Sequence, residues 1–456
     1  MKTKFFLFLL LVAATQMKAN NMLVKNVTTM GNNATNKTIQ VQFDMSWDNS
    51  WRDGINWDAA WVFMKYKDAN GNWQHVQLNI TGFANGTGTA NTIQVGSDKV
   101  GAFVYRSAAG TGTFASTTMQ MQWNYGLSGL TNVTGLEVRV FAVEMVYVPQ
   151  GDFTITSNFY VHSMRWNSNY QPWDNTYFYC CEQYETNNGS ITATSGGLAV
   201  VNSRLTPTIN YNDSQNSIQV RIKENSGIDF NNDGVVENTN YPVGFLPFYS
   251  FKYEMSEQQY ADFLNTLTAS QRQGLGVAGV NIFNSNGQYF TSSPNRACGN
   301  GNAYRLLAYA DWSGLRPMTF LEFNKANNGP LFPVSVNSSN IPWWINNNNN
   351  LNEVGSLANN STANRVDSGG SYYGIMDFTG NAYEPCIKLN YNSFTNANGN
   401  GVIGSNGESD VINWNSGEFS RTSAGMIIFI EIGNDYNSNN NNYPTNNGFR
   451  YVRSAE

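Results

Sequence analysis

The residues best placed by type and spacing to do chemistry lie in GIMDFTGNAYEP, Gly374 to Pro385. Asn381 and Glu384 follow Gly380 there, and an amide oxygen, a carboxylate and the carbonyls of a tight glycine turn are the hard donors that Ca²⁺ takes. The alternative is an ordinary hydrogen-bonded turn. A second stretch, DFNNDGVVENTN from Asp229 to Asn240, sets Asp229, Asn231 and Asp233 on alternate positions ahead of Gly234, as in an EF-hand loop. Its last position holds Asn240 where that loop carries a bidentate glutamate, so the expected affinity is low and an Asp/Asn-rich turn without an ion is an equal reading. Soft and imidazole ligands are scarce. The only cysteines are Cys180, Cys181, Cys298 and Cys386, and the only histidines are His75 and His162. Cys298 and Cys386 are a disulfide candidate; the adjacent Cys180 and Cys181 fit bridge geometry with each other poorly and are either free or bridged elsewhere.

These residues need a scaffold, and the first part of the chain reads as β-structure. In TIQVQFDMSW, Ile39, Val41, Phe43 and Met45 alternate with polar residues, the period-two signature of a half-buried strand. WDAAWVFMKYKD and LEVRVFAVEM are further strands, and DANGNW supplies a hairpin turn between Asp68 and Trp73. The expectation for residues 20–143 is a β-sandwich that folds as a separate unit. Trp47, Trp51, Trp57 and Trp61 either fill its core, the commoner fate of large aromatics in strands, or offer sugar-stacking faces. Beyond Glu144 the pattern changes. Ser256 and Gln259 form a capping box ahead of a helix whose Tyr260, Phe263, Leu264 and Leu267 share one face. A second helix is expected near Ala303 to Trp312, and a third after Thr319, closed by Glu322. The asparagine runs at 346–350 and 439–442 read as surface loops.

Composition sets the class. Residues 1–19 carry Lys2, Lys4, an apolar run and small residues at Ala14 and Ala19, a signal peptide too short to remain as a membrane span, so the chain is expected to be exported to the periplasm, cell surface or medium. A net charge of −6 without a basic run argues against nucleic acid as a partner.

Five segments, in order, resemble the formylglycine-generating enzyme or sulfatase-modifying-factor family: MVYVPQGDF (Met145 to Phe153), YEMSEQQYADFL (Tyr253 to Leu264), LRPMTFLEFNKA (Leu315 to Ala326), YGIMDFTGNAYE (Tyr373 to Glu384) and GFRYVR (Gly448 to Arg453). The resemblance covers residues 144–456 apart from an insertion at about 155–241, and implies an α+β C-type-lectin-like domain rich in loops behind the N-terminal all-β sandwich. It also resembles secreted, multi-copy proteins of Bacteroidetes-type bacteria. Family members hold a structural Ca²⁺ in the Gly-Asn-x-Trp-Glu loop, which carries over to Asn381 and Glu384, with Tyr383 where Trp is usual. The family's copper-binding thiol pair has no counterpart, since no cysteine follows Cys386, and two histidines cannot form the three-histidine iron site of a sister branch. Neither copper nor iron is expected. The expected function is that of a non-catalytic, secreted or surface-exposed pseudoenzyme whose loops bind an extracellular protein or glycan. The alternatives are an oxidase with replaced catalytic residues and a structural part of an outer-surface machine.

Overall fold

The computed structural model describes residues 21–151, 238–329, 351–356, 370–378, 381–382, 384–387, 393–412, 414 and 447–456, together with the backbone of short strands between them. The expected signal peptide, both asparagine runs, and Asn231 and Asp233 lie outside the described residues.

In the first third of the chain run β1 (Leu23–Asn33), β2 (Thr38–Arg52), β3 (Asp58–Lys67), β4 (Trp73–His75), β5 (Thr87–Gly88), β6 (Asn91–Val95), β7 (Gly101–Arg106), β8 (Gly110–Asn124) and β9 (Val138–Val148). The alternation in β2 is realised: Val41, Phe43, Met45 and Trp47 point inward, and across the β2–β8 ladder Trp47 stacks on Phe114 at 3.9 Å. Strands β1, β2, β8 and β5 form one sheet. Its inner face meets Ala60, Val62, Met64 and Tyr66 of β3 and Ala102 and Val104 of β7 in one apolar cluster, which is the sandwich core.

Strand β3 is covered on both faces. Alternate residues of a strand face opposite sides, and the odd-numbered Ala59, Trp61 and Phe63 are as buried as their neighbours. A strand covered on both faces reads as a nearly unbroken apolar run, as Ala59 to Met64 does. The cover on the far side comes from the second half of the chain: α1 (Glu257–Leu264) and α3 (Ala303–Ser313) add Tyr260, Phe263, Leu306 and Tyr309 to the cluster holding Trp61 and Phe63. The rings of Phe63, Phe141 and Phe263 surround Trp312 at 5.0–5.1 Å.

The sheet is shared in the same way. Strands β10 (Phe248–Phe251), β11 (Arg316–Pro317) and β13 (Tyr451–Ser454) extend it in the order β11-β13-β10-β9-β3-β7-β6. Strand β9 pairs with β3 on one side (Met145 with Ala59) and with β10 on the other (Val146 with Ser250). The boundary expected at residues 143/144 therefore falls inside a central strand, and the sheet and the apolar cluster behind β3 continue across it. Strand β12 (Glu384–Ile387) pairs with Phe419–Thr422.

The expected helices form with their caps. Ser256 with Gln259 starts α1, and Thr319 with Glu322 starts α4 (Phe320–Asn328); Asn302 caps α3. A short helix that the apolar period did not show, α2 (Ala269–Leu275), carries the same box in Thr268 and Gln271. Among the described residues no helix is long and apolar enough to cross a membrane.

Two further expectations are decided here. Cys298 is a free thiol in the cluster behind β3, whereas Cys386 on β12 sits in a separate cluster with Phe248, Phe323 and Val452, so the Cys298–Cys386 bridge is not formed. Trp47 and Trp61 are core residues; Trp51 is half-buried against the loop at Gly374, and Trp57 is half-buried and stacked on Tyr147 at 4.1 Å.

Candidate functional site, a buried carboxylate cluster around Arg450

Asn381 and Glu384 do come together with other charged groups, but not as an open loop. Both are buried. The Asn381 amide nitrogen donates to Glu254 Oε2, its oxygen accepts the Asn352 N–H at 2.8 Å, and Glu254 Oε1 accepts the Ala382 N–H at 2.7 Å. Glu384 Oε1 accepts from Arg450 Nε. Arg450 spends its other nitrogens on the carbonyls of Phe251 and Met376, each at 2.9 Å, and lies over the Phe378 ring. Asp377 completes the group, with Oδ2 accepting the Gly355 N–H at 2.5 Å.

The elements that deliver these side chains come from distant parts of the sequence. Glu254 follows β10, Arg450 immediately precedes β13, and Glu384 opens β12. Asp377 and Asn381 both adopt left-handed backbone conformations (φ 57° and 60°), which Asp and Asn tolerate better than most residues.

Three carboxylates share one guanidinium, and burial disfavours their charged forms. Burial pushes Glu384 up to about 7 and Asp377 up to about 6, with Arg450 pulling both back; Glu254 rises well above the carboxylate range, since Asp377 and Glu384 add to the effect of burial. Such a group can store protons or accept further positive charge. As drawn, Arg450 neutralises Glu384, and Asn381 Oδ1 is engaged by a backbone N–H. Among the described residues no three His, Cys, Asp or Glu side chains converge closely enough to hold a metal. Asp229 lies apart, in the strand Ile228–Asp229 paired with Asn216–Ile222.

Sequence reasoning chose Asn381 and Glu384 but missed Glu254, Asp377 and Arg450. Each of these sits in a segment already singled out, YEMSEQQYADFL, YGIMDFTGNAYE or GFRYVR. A fourth segment makes its own buried pair beside them: Arg316 and Glu322 meet in a two-pronged bond, 2.8 and 2.5 Å long, and Glu322 also closes the α4 capping box. The signal that was available is that an arginine next to an apolar strand, as in GFRYVR, needs a buried acid. A scan against protein-family models, a search of curated proteins and a search of solved structures each give no match to this chain.

Proposed function

We propose that the chain is a secreted or surface-exposed, non-catalytic binding protein on a formylglycine-generating-enzyme-like scaffold. The observation that carries this reading is the division of labour among side chains. The charged groups of the candidate site are buried and committed to internal bonds, whereas exposed aromatic groups occur on a two-stranded hairpin. In that hairpin, Ile282–Ser285 paired with Gln288–Thr291, Phe283 and Phe290 stand opposite each other, about half exposed, with Asn284, Asn286 and Gln288 beside them. Aromatic faces flanked by amides suit a glycan or a polar peptide.

The test is a glycan and peptide array probed with the chain and with its Phe283→Ser/Phe290→Ser double variant. Retention of a ligand by the wild type and its loss in the variant is the expected result. Conversion of a sulfatase-type cysteine peptide to its aldehyde would overturn the reading in favour of the oxidase.

Calcium belongs to the same proposal. It rests on the hard oxygens of Asn381 and Glu384, with Glu254 and Asp377 in the same buried group; the three carboxylates do not converge on one point in the structure, so binding would require the Asn352 N–H to leave Asn381 and the side chains to close on the ion. Millimolar calcium should raise the melting temperature by mass action, and Asp377→Asn, which removes a charge and keeps the Gly355 bond, should remove that rise. A rise that persists in Asp377→Asn but disappears in Asp229→Asn/Asp233→Asn assigns the ion to the insertion instead. No response to calcium or chelator leaves both stretches as hydrogen-bonded turns.

A further inference from the structure

Next to Phe251, whose carbonyl takes an Arg450 hydrogen bond, Lys252 is buried between two other carboxylates. Its Nζ lies 3.1 Å from Asp58 Oδ2, 3.0 Å from Glu144 Oε2 and 3.2 Å from the Asn49 carbonyl. Asp58 opens β3 and is fully buried; its Oδ1 accepts the Ser50 hydroxyl at 3.0 Å and the Trp51 N–H at 2.9 Å, and its Oδ2 accepts Trp47 Nε1 at 3.0 Å. Glu144 Oε1 is buried and has no hydrogen-bond partner.

As a stabilising ion cluster this arrangement is poor. Desolvating three charges is costly, two acids compete for one ammonium, and an orphaned carboxylate oxygen adds its own penalty. As a reaction site every part has a use. An amine stands within attacking distance of a carboxyl carbon. Two donors already point at the oxygen that would carry negative charge. A second carboxylate touches the nitrogen that must lose protons.

We propose that Lys252 and Asp58 join in an intramolecular isopeptide bond, with Glu144 carrying the protons. Lys252 passes one proton through Glu144 to Asp58 Oδ2, and the freed amine attacks Cγ of the now neutral carboxyl. The Nζ–Cγ bond forms as the carbonyl electron pair moves onto Oδ1, held by Ser50 Oγ and the Trp51 N–H. The Cγ–Oδ2 bond then breaks. Of the three ammonium protons, one stays as the amide N–H and two leave with Oδ2 as water, relayed by Glu144, which ends ionised as it began. No oxidant or other reactant is required.

Burial pushes Glu144 up to about 7, where a carboxyl both takes and gives a proton near neutral pH. Burial alone would push the Lys252 ammonium down, but Glu144 and Asp58 outweigh it and hold it above its ordinary range. The free amine therefore arises only inside the cluster, and the bond forms once, as a slow maturation step. It would tie β3 to the end of β10 across 194 residues of chain, a covalent staple between the two halves.

Denaturing intact-mass spectrometry of the purified chain tests this. Relative to its sequence mass the wild type should be lighter by about 18 Da, the water released, and proteolysis should yield a branched peptide joining the Asp58 and Lys252 segments. Lys252→Arg and Glu144→Gln should run at full mass. Asp58→Asn should lose ammonia and give the same product as the wild type. A folded wild type at full mass, or a water loss that persists in Lys252→Arg, overturns the proposal. The branched peptide in the wild type decides the matter even where a variant fails to fold.

Discussion

At the scale of single residues, the candidate site is governed by the difference between an exposed turn and a buried one. On a solvent-exposed loop Glu384→Gln would be mild. In the structure it removes the carboxylate that Arg450 is bonded to and leaves the guanidinium hydrogen-bonded only to the Phe251 and Met376 carbonyls. Breaking such a pair from one side costs ~3–5 kcal/mol, so urea unfolding should show Glu384→Gln and Arg450→Met each strongly destabilised; near-wild-type midpoints would mean that the pair is not formed. Asp311 makes the pH argument cleanly. Its carboxylate, at the end of α3, accepts the Ser409 hydroxyl at 2.7 Å and the Asn400 and Asp410 N–H groups at 3.0 and 2.9 Å, yet burial pushes it up to about 6. A carboxyl raised on folding binds protons more tightly in the folded state, so its contribution is fully present below the unfolded value and is lost as pH rises through the folded one. Stability should fall by roughly 2 kcal/mol from pH 4.5 to 7 on account of this group, and Asp311→Asn should flatten that slope. Unfolding curves whose slope is unchanged by Asp311→Asn would assign the pH dependence elsewhere.

At the scale of elements, local chemistry was legible and long-range pairing was not. Helices α1 and α4 were readable because Ser256 with Gln259 and Thr319 with Glu322 are signals contained within four residues. The same signal sits at Thr268 and Gln271, but α2 buries only Leu275 and so has no apolar period to confirm it. Strands β2, β3 and β9 were recognisable one at a time, whereas nothing local says that β9 also pairs with β10 or that Arg450 meets Glu384. Lys65 illustrates the gap. It lies in β3, is buried, and its Nζ bonds to His75 Nδ1 at 3.0 Å, to the Trp312 carbonyl at 2.7 Å and to the Gly401 carbonyl at 2.5 Å, anchoring both the end of α3 and the 399–404 loop to the first half of the chain. The loop reaches that position only because residue 401 is glycine: its φ is +87°, and a Cβ there would lie 2.2 Å from His75 Nδ1. Gly401→Ala therefore combines backbone strain of order 1–3 kcal/mol with a clash against a buried ring. It should lower the melting temperature by several degrees and expose the Trp312 environment in fluorescence; an unchanged melting curve would show that the loop is not held by Lys65.

For the whole molecule, the shared sheet changes what the N-terminal half can do alone. Cutting after residue 143 severs β9 and removes β10, α1 and α3, so Trp61, Phe63 and Phe103 lose the cover that makes them core. It also strips polar partners: Lys65 loses the Trp312 and Gly401 carbonyls, Asp98 loses Arg453, and Asp58 loses Lys252. An apolar sheet face of this kind is larger than soluble monomers tolerate, and a severed sheet edge invites pairing between copies. The fragment 20–143 should consequently aggregate when expressed alone, in contrast to the soluble unit its β-pattern suggests, and co-expression with residues 144–456 should return it to solution. The single change Trp61→Ala in the full chain provides the graded version. It removes a fully buried ring that stacks under Arg453 at 4.1 Å and donates to the Ser313 carbonyl at 2.8 Å, all from the far half. The loss should be ~3–5 kcal/mol and should appear as one cooperative transition shifted as a whole, because no boundary in the sheet allows one half to melt before the other. Two separate transitions in Trp61→Ala, or a monomeric folded 20–143 fragment by sedimentation and circular dichroism, would show that the halves fold independently after all.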